Sequence, residues 1–151
     1  MRTLGESFEL ESHPRRPFAT SAAISNRGEL AFAMNDQLVW LREEGEVRWD
    51  VDLTPLDLAF DAAGERLAVG TREGIVALYD REGTLLALVH DAGDRVPWVG
   101  FAPDGRLGAA SWDGALRFYS PDVLGRSPEE LVAAAERAWG LVLEEVLEPR
   151  Q

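Results

Sequence analysis

The sequence contains no cysteine. A chain without thiols cannot form a disulfide framework, a cysteine nucleophile or a thiolate zinc site, so these chemistries and thiol redox roles are excluded. Lysine is also absent, and all 15 basic residues are arginine. Only two asparagines, two glutamines and two methionines are present. Few thermolabile side chains together with abundant arginine and glutamate predict a thermostable protein.

Long apolar segments are missing as well. The longest uncharged apolar run is far too short to cross a bilayer, and the opening MRTLGESFEL lacks the charged-then-apolar order of a secretory signal. The net charge of −12 opposes binding to nucleic acid or to an anionic membrane surface, since both need a basic face. The one basic cluster, residues 13–16, is too small to reverse this balance. We therefore expect an acidic, cytoplasmic protein that binds neither nucleic acid nor membrane.

Established catalytic motifs are absent too. The sequence has no G-x-S-x-G, no H-E-x-x-H, no glycine-rich phosphate loop and no EF-hand spacing. Acidic pairs such as Glu43/Glu44 and Asp91/Asp94 could hold a hard cation or serve a glycosidase, but most acidic loop residues are merely solvated. The sequence predicts no catalytic residue, no metal site and no cofactor.

A pattern of about twenty residues occurs three times. The copies are ISNRGELAFAMNDQLVWLR at residues 24–42, FDAAGERLAVGTREGIVALYD at 60–80 and FAPDGRLGAASWDGALRFYS at 101–120. Repetition at roughly 40 residues, with four short strands in each unit, indicates the blades of a β-propeller. The predicted fold is therefore all-β, with three blades in one chain.

Each copy reads as strands that we letter a to d from the propeller axis outward. Strand a ends in an apolar residue and is followed by a glycine turn, because glycine accepts the positive φ that such a turn needs. Strand b follows, and strand c has apolar residues at every second position. The equivalent positions are Ile24, Phe60 and Phe101 at the end of strand a, Gly28, Gly64 and Gly105 in the turn, and Leu38/Trp40, Val76/Leu78 and Leu116/Phe118 on strand c.

The outer strand d distinguishes the third copy from the others. Glycine turns at Gly45 and Gly83 lead into EVRWDVDL and TLLALVH, whereas the third copy continues into Ser120-Pro121-Asp122 without such a turn. At the start of the chain, Gly5 is followed by ESFELES with alternating apolar residues. We interpret residues 1–12 as the missing outer strand, placed before the first blade.

The third copy, VGFAPDGRLGAASWDGALRFY, resembles the WD-repeat family in its apolar strand, Pro-Asp-Gly turn, small-residue strand and Asp-Gly turn. Tyr79-Asp80 stands where that family's Trp-Asp pair ends strand c. The resemblance covers about residues 5 to 120. It implies a buried hydrogen-bond network within a blade, which His90, Ser111 and Asp113 would form in the third copy.

The two histidines of the chain occupy equivalent positions. His13 precedes Ile24 by eleven residues, as His90 precedes Phe101. A catalytic histidine would need an adjacent nucleophile and an orienting acid, whereas one repeated position suits a structural hydrogen bond. The resemblance thus implies that both histidines are structural. The middle copy has no histidine and has Glu73 in place of the aspartate, so its network stays open.

The segment at residues 121–151 differs in character from the repeats. Ser127, Pro128 and Glu130 form a helix start with a capping box. Apolar residues that include Trp139 then follow at helical spacing up to Val146. We predict an amphipathic helix that docks on its own chain, on a twin subunit or on a foreign protein.

Three blades cannot close a ring, because propellers have about four to eight. Two copies of residues 1–120 related by a two-fold axis would make six blades, with residues 1–12 completing the last blade of the partner. We therefore predict a homodimer with strand exchange. Half of a hetero-oligomeric propeller is the alternative assembly.

These observations favour a non-enzymatic scaffold that binds another protein. The expected contacts lie in the turns between strands b and c and on the helix, and they are Trp112, Arg72, Glu73, Asn35, Asp36 and Trp139. The alternative is a small-ligand or hydrolytic site in the central channel, where carboxylates of two subunits could converge. A cluster of perturbed carboxylates near the axis would favour that alternative.

Overall fold

The computed structural model describes residues 19–34, 36–90 and 92–120, together with residues 130 and 133. These residues form eleven β-strands. Strands β1 to β4 are Ala19–Ile24, Leu30–Met34, Gln37–Arg42 and Gly45–Asp50; β5 to β8 are Pro55–Phe60, Arg66–Thr71, Val76–Asp80 and Leu85–Val89; β9 to β11 are Trp98–Phe101, Leu107–Ala110 and Leu116–Tyr119. The described part contains no helix that is long and apolar enough to span a membrane.

The strands form three antiparallel sheets, β1-β2-β3-β4, β5-β6-β7-β8 and β9-β10-β11, which we call blades 1, 2 and 3. The predicted repeats of strands a to d are confirmed in blades 1 and 2, and strands a to c in blade 3. The predicted exchanged strand at residues 1–12 lies outside the described residues. The predicted helix also lies outside them, apart from Glu130 and Ala133, which are both helical.

The turn between strands a and b shows why each repeat carries a glycine there. Gly28, Gly64 and Gly105 have φ of 77°, 67° and 85°, a region that other residues disfavour. In blade 2, Asp61 precedes this glycine, and its carboxylate accepts a hydrogen bond from the backbone N–H of Glu65 at 2.8 Å. These turns reverse the chain and let strand b pair with strand a.

Blade 2 turns one face to blade 1 and the other to blade 3. On β5, Leu58 and Phe60 pack towards blade 1, whereas Ala59 packs towards blade 3. This alternation follows from the two-residue period of a strand. The junction of blades 1 and 2 is filled by a cluster that includes Ala31, Ala33, Leu38, Trp40, Leu67, Val69 and Tyr79. The junction of blades 2 and 3 is filled by a cluster that includes Ala68, Val76, Leu78, Val96, Val99, Leu107 and Ala109.

One pair of positions meets at both junctions. Trp40, on strand c of blade 1, packs edge-on against Phe60 at the end of strand a in blade 2, with ring centroids 4.8 Å apart. At the next junction, Leu78 on strand c and Phe101 at the end of strand a belong to the same cluster. Burying one such side chain stabilises the fold by roughly 1.5 to 3 kcal/mol. Strand c of one blade therefore shares a core cluster with the end of strand a in the next.

Blades 1 and 3 each have one face that does not contact another described blade. On blade 1 this face carries a smaller buried cluster, formed by Phe32, Met34 and Val39. On blade 3 it carries three large apolar side chains that are exposed, Trp98, Leu116 and Phe118. Blade 3 therefore ends in an open apolar face.

Candidate interaction face

The turns between strands b and c lie on the same side of the blades as the loops that join strand d to the next strand a. We call this side the loop face and define it by Asp36 and residues 51–54, 72–74, 92–97 and 112–114. Of the predicted contact residues, four are described and exposed on this face: Asp36, Arg72, Glu73 and Trp112. Asn35 and Trp139 lie outside the described residues.

Backbone hydrogen bonds tie the turns to the loops in the same way in two blades. The N–H of Arg72 donates to the carbonyl of Thr54 at 2.9 Å, and the N–H of Trp112 donates to the carbonyl of Arg95 at 3.0 Å. In each case a residue of the turn after strand b is bound to the loop that precedes its own blade. The loop face is thus a regular structure and not a set of independent loops.

Glu73 reinforces this contact in blade 2. Its two carboxylate oxygens accept hydrogen bonds from the backbone N–H and the hydroxyl of Thr54 at 2.9 and 2.7 Å. Burial acts to raise the pKa of Glu73, but the hydrogen bonds from Thr54 outweigh it and hold that pKa below its ordinary value. Glu73 therefore takes part in a network in the middle blade, which the sequence had left open.

In blade 3, Asp113 binds the loop that precedes its blade, as Glu73 does in blade 2, but with a shorter side chain. Its carboxylate accepts hydrogen bonds from Arg117 at 2.7 Å and from the backbone N–H groups of Gly93 and Ala115, both at 2.9 Å. The bond from Arg117, followed by those from Gly93 and Ala115, holds the pKa of Asp113 far below its ordinary value. The hydroxyl of Ser111 donates to the carbonyl of Asp94 at 2.9 Å. Asp113 and Ser111 thus fasten the loop that precedes blade 3.

The described hydrogen bonds of Ser111 and Asp113 do not include His90. His90 is exposed, and the described residues provide no hydrogen bond to its side chain. The loop that precedes blade 3 supplies their partners instead, the N–H of Gly93 for Asp113 and the carbonyl of Asp94 for Ser111. His13, the other member of the predicted network, lies outside the described residues.

Trp112 is the most prominent side chain of the loop face. It is 62% exposed. The guanidinium of Arg95 lies 5.0 Å from the centroid of the indole ring, within the range of a cation–π contact. A flat apolar surface next to a fixed positive charge can bind an apolar side chain flanked by a carboxylate.

A buried ionic network at the junction of blades 1 and 2 was missed by the sequence analysis. Arg81 donates to both oxygens of Glu29 at 2.6 and 3.2 Å, and the indole N–H of Trp40 donates to Glu29 at 2.9 Å. Burial acts to lower the pKa of Arg81, but the hydrogen bond and the attraction of Glu29 raise it above its ordinary value. Arg81 also lies over the Trp40 ring at 5.8 Å. This network fastens strand c of blade 2 to blade 1.

The opposite end of the propeller axis carries a shallow depression of about 240 Å³. Its lining takes residues from each blade: Ile24, Asn26, Phe60, Asp61, Ala62, Phe101, Ala102 and Pro103. Asp61 is the one carboxylate in that lining, and its Oδ1 oxygen is engaged by the backbone of its own turn. Among the described residues no group of three or more His, Cys, Asp or Glu side chains could hold a metal ion. The carboxylate cluster that would favour a channel site is therefore not found in the described part.

Comparison with solved structures identifies the fold. A chain in the crystal structure of the mitotic checkpoint complex matches 82% of this chain with a TM-score of 0.63 and 19% sequence identity. The crystal structure of the RRP9 WD40 repeats matches 75% with a TM-score of 0.65 and 14% identity. The fold is that of WD40 repeats.

The WD40 match covers only part of those proteins. The chain spans 44% of the mitotic checkpoint chain and 38% of the RRP9 chain. No protein-family model and no curated protein matches the sequence. The WD40 fold confirms the family resemblance of the blades, and because the sequence identities are low, the likeness extends to the fold alone.

Proposed function

We propose that this WD40-type chain is a non-enzymatic interaction scaffold that works as a homodimer and holds another protein on its loop face. One matched structure is named for an assembly, the mitotic checkpoint complex, which agrees with a binding role. Because one fold hosts many functions, the loop face itself must carry the proposal.

Trp112 is the observation that carries it. Tryptophan and arginine are enriched among the residues that contribute most to binding energy at protein interfaces. The backbone of Trp112 is bound to Arg95, and its ring contacts the guanidinium of Arg95. Since this pair is already ordered, a partner would bury an aromatic surface at a low entropic cost.

The open arc supports the homodimer. Propellers have about four to eight blades, and an open arc leaves an apolar face without a neighbour. Leu116 and Phe118 on blade 3 are exposed at such a face. Two copies related by a two-fold axis would cover both ends with identical junctions.

A peptide-display selection tests the binding role. Random peptides are selected on the immobilised protein, and the enriched sequences are then titrated against Trp112→Ala. We expect peptides with an apolar residue beside an acidic one, and we expect Trp112→Ala to weaken their binding by roughly tenfold or more.

Leu85→Ala is the matched control. Leu85 is also exposed and apolar, but it lies at the start of β8, at the opposite end of its sheet from the loop face. Peptides that lose affinity for Trp112→Ala and not for Leu85→Ala support the proposal. Peptides that bind Trp112→Ala as tightly as the unmodified protein contradict it.

A further inference from the structure

The open face of blade 3 carries the same kind of side chains as the faces that blades 1 and 2 bury. Two positions on strand c lie in the junction with the next blade, Leu38 and Trp40 in blade 1 and Val76 and Leu78 in blade 2. The equivalent residues of blade 3 are Leu116 and Phe118. The first four are buried, whereas Leu116 is 57% and Phe118 51% exposed. Blade 3 is therefore built for a following blade that the chain does not supply among its described residues.

Blade 1 offers the residue that would meet this face. At the junction of blades 1 and 2, Trp40 contacts Phe60, the last residue of strand a in the next blade. At the junction of blades 2 and 3, the equivalent residues Leu78 and Phe101 belong to one cluster. Ile24 is the last residue of strand a in blade 1, and it is 75% exposed. Phe118 and Ile24 are thus the exposed halves of a contact that is made elsewhere in the same chain.

Blades 1 and 3 carry charged residues at the positions of the buried Glu29–Arg81 pair, but with the two signs exchanged. Glu29 immediately precedes strand b of blade 1 and binds Arg81, which immediately follows strand c of blade 2. The residue that immediately precedes strand b of blade 3 is Arg106. The residue that immediately follows strand c of blade 1 is Glu43. A blade 1 placed after blade 3 would bring Arg106 and Glu43 to the positions that Glu29 and Arg81 occupy.

Among the described residues, Arg106 and Glu43 each keep polar atoms that could make this contact. Arg106 binds Asp104 through Nε at 2.8 Å and lies 5.2 Å from the Phe118 ring centroid. In the described part of the chain its two terminal nitrogens have no hydrogen bond. Glu43 is exposed, and the described residues give it no ion pair. The arginine therefore lies over the aromatic ring of strand c, as Arg81 does at the junction within the chain.

The glycine turns between strands c and d differ in what covers them in blades 1 and 2. A side-chain carbon at Gly83 would lie 2.9 Å from the ring of Trp49, because strand d of blade 1 covers this turn of blade 2. A side-chain carbon at the equivalent Gly45 of blade 1 would have no atom of the described residues within 4 Å. The c–d turn of blade 1 is thus uncovered, whereas Phe32, Met34 and Val39 on the adjoining face are already buried within the chain. Blade 3 of a second copy must therefore displace the cover of this cluster when it binds there.

We propose that blade 3 of one copy binds blade 1 of a second copy through two contacts, Phe118 with Ile24 and Arg106 with Glu43. This interface rests on the proposed homodimer and specifies how its ring closes. Two such junctions, related by the two-fold axis, complete six blades. The exchanged charges also set the order of the blades, because Arg106 placed against blade 2 of another copy would face Arg81, and like charges repel.

Because the chain contains no cysteine, a thiol cross-linker can react only at cysteines that are introduced by mutation. In the full-length double variant Ile24→Cys/Phe118→Cys, a short bis-maleimide reagent is expected to give a covalent dimer, with cross-links between residue 24 of one copy and residue 118 of the other. Each single cysteine variant should give none. Cross-linking by Ile24→Cys alone would mean that two blade 1 faces meet, which overturns the proposal.

Charge exchange tests the ionic contact independently. The variants are Arg106→Glu, Glu43→Arg and their combination, and sedimentation equilibrium measures the dimer dissociation constant of each. Each single change is expected to weaken the dimer by roughly tenfold or more, because it places like charges together. The combined variant should restore most of the affinity. Arg106→Glu with Glu82→Arg, on the equivalent turn of blade 2, is the mismatched control and should restore none.

The outcomes separate this interface from the proposed dimer itself. A stable dimer whose dissociation constant is unchanged in Arg106→Glu and in Phe118→Glu would overturn the interface and leave the dimer intact. A folded monomer would overturn both. A monomer in which Trp139→Glu speeds hydrogen exchange of Leu116–Tyr119 would assign the open face to the chain's own C-terminal segment.

Discussion

The carboxylate of Asp57 accepts a hydrogen bond from the backbone N–H of Val99 at 2.9 Å. Its other oxygen accepts a hydrogen bond from the hydroxyl of Ser21 at 3.2 Å. Ser21, Asp57 and Val99 lie on β1, β5 and β9, the inner strands of the three blades. One side chain therefore links all three blades near the axis.

We expect Asp57→Ala to lower the free energy of unfolding by about 1 to 3 kcal/mol, because it leaves the N–H of Val99 without its partner. Urea denaturation followed by circular dichroism measures this change. Asp52→Ala is the matched control, since Asp52 is exposed and no described hydrogen bond reaches its side chain. Equal stability of the two variants would show that the Asp57 bonds do not hold the blades together.

Arg81→Ala should lower the free energy of unfolding more than Asp57→Ala does, by about 3 kcal/mol or above. The reason is that it leaves the buried carboxylate of Glu29 without its ion pair. Replacing both partners, as in Glu29→Leu/Arg81→Met, should recover much of the loss because no buried charge is then left unpaired. Thermal and urea unfolding of the single and double variants test this. A double variant as unstable as Arg81→Ala alone would contradict the expectation.

Asp113 makes the stability of blade 3 depend on pH. Its pKa is lower in the folded chain than the ordinary value of 3.8, so its contribution is present above that value and is lost as the pH falls towards the folded pKa. The difference in melting temperature between the unmodified protein and Asp113→Asn should therefore be large near pH 6 and should shrink below about pH 4. A difference that is constant from pH 6 to pH 3 would show that ionisation of Asp113 is unimportant.

The repeat pattern predicted the blades because it depends on local chemistry. Each positive-φ glycine and each alternating strand is specified within a few residues, as at Gly64 and Gly105. The pair of Glu29 and Arg81 is separated by 52 residues, so it depends on how one blade packs on the next. The signal that could have found it is the unusual position of a glutamate immediately before the apolar start of strand b.

The site residues show the same limit. Asp113 and Ser111 were identified because the turn sequence Ser-Trp-Asp-Gly is local. His90 was assigned to them by position along the chain, but the conformation of the 92–97 loop decides which donor reaches Asp113, and the N–H of Gly93 does so. Sequence spacing does not contain that information.

His90→Ala is therefore expected to change the free energy of unfolding by less than about 0.5 kcal/mol, the usual range for an exposed position without a special contact. Ser111→Ala should lower the free energy of unfolding more, by about 1 kcal/mol, because it removes the hydrogen bond from the Ser111 hydroxyl to the carbonyl of Asp94. Comparison of the melting temperatures of His90→Ala and Ser111→Ala tests this expectation. A larger loss in His90→Ala would restore the histidine to the network that the family resemblance implies.

Among the described strands, β11 pairs with β10 alone, and it is the outermost described strand of blade 3. If residues 1–12 complete blade 3 of a second copy, deleting them should expose the edge of β11 and remove Phe8 and Leu10 from packing. We expect the shortened chain to aggregate or to dissociate, which size-exclusion chromatography coupled to light scattering measures. Deletion of residues 1–4, which stops before Gly5, is the control and should leave the dimer intact. A soluble dimer with an unchanged melting temperature after removal of residues 1–12 would show that this segment does not complete the blade.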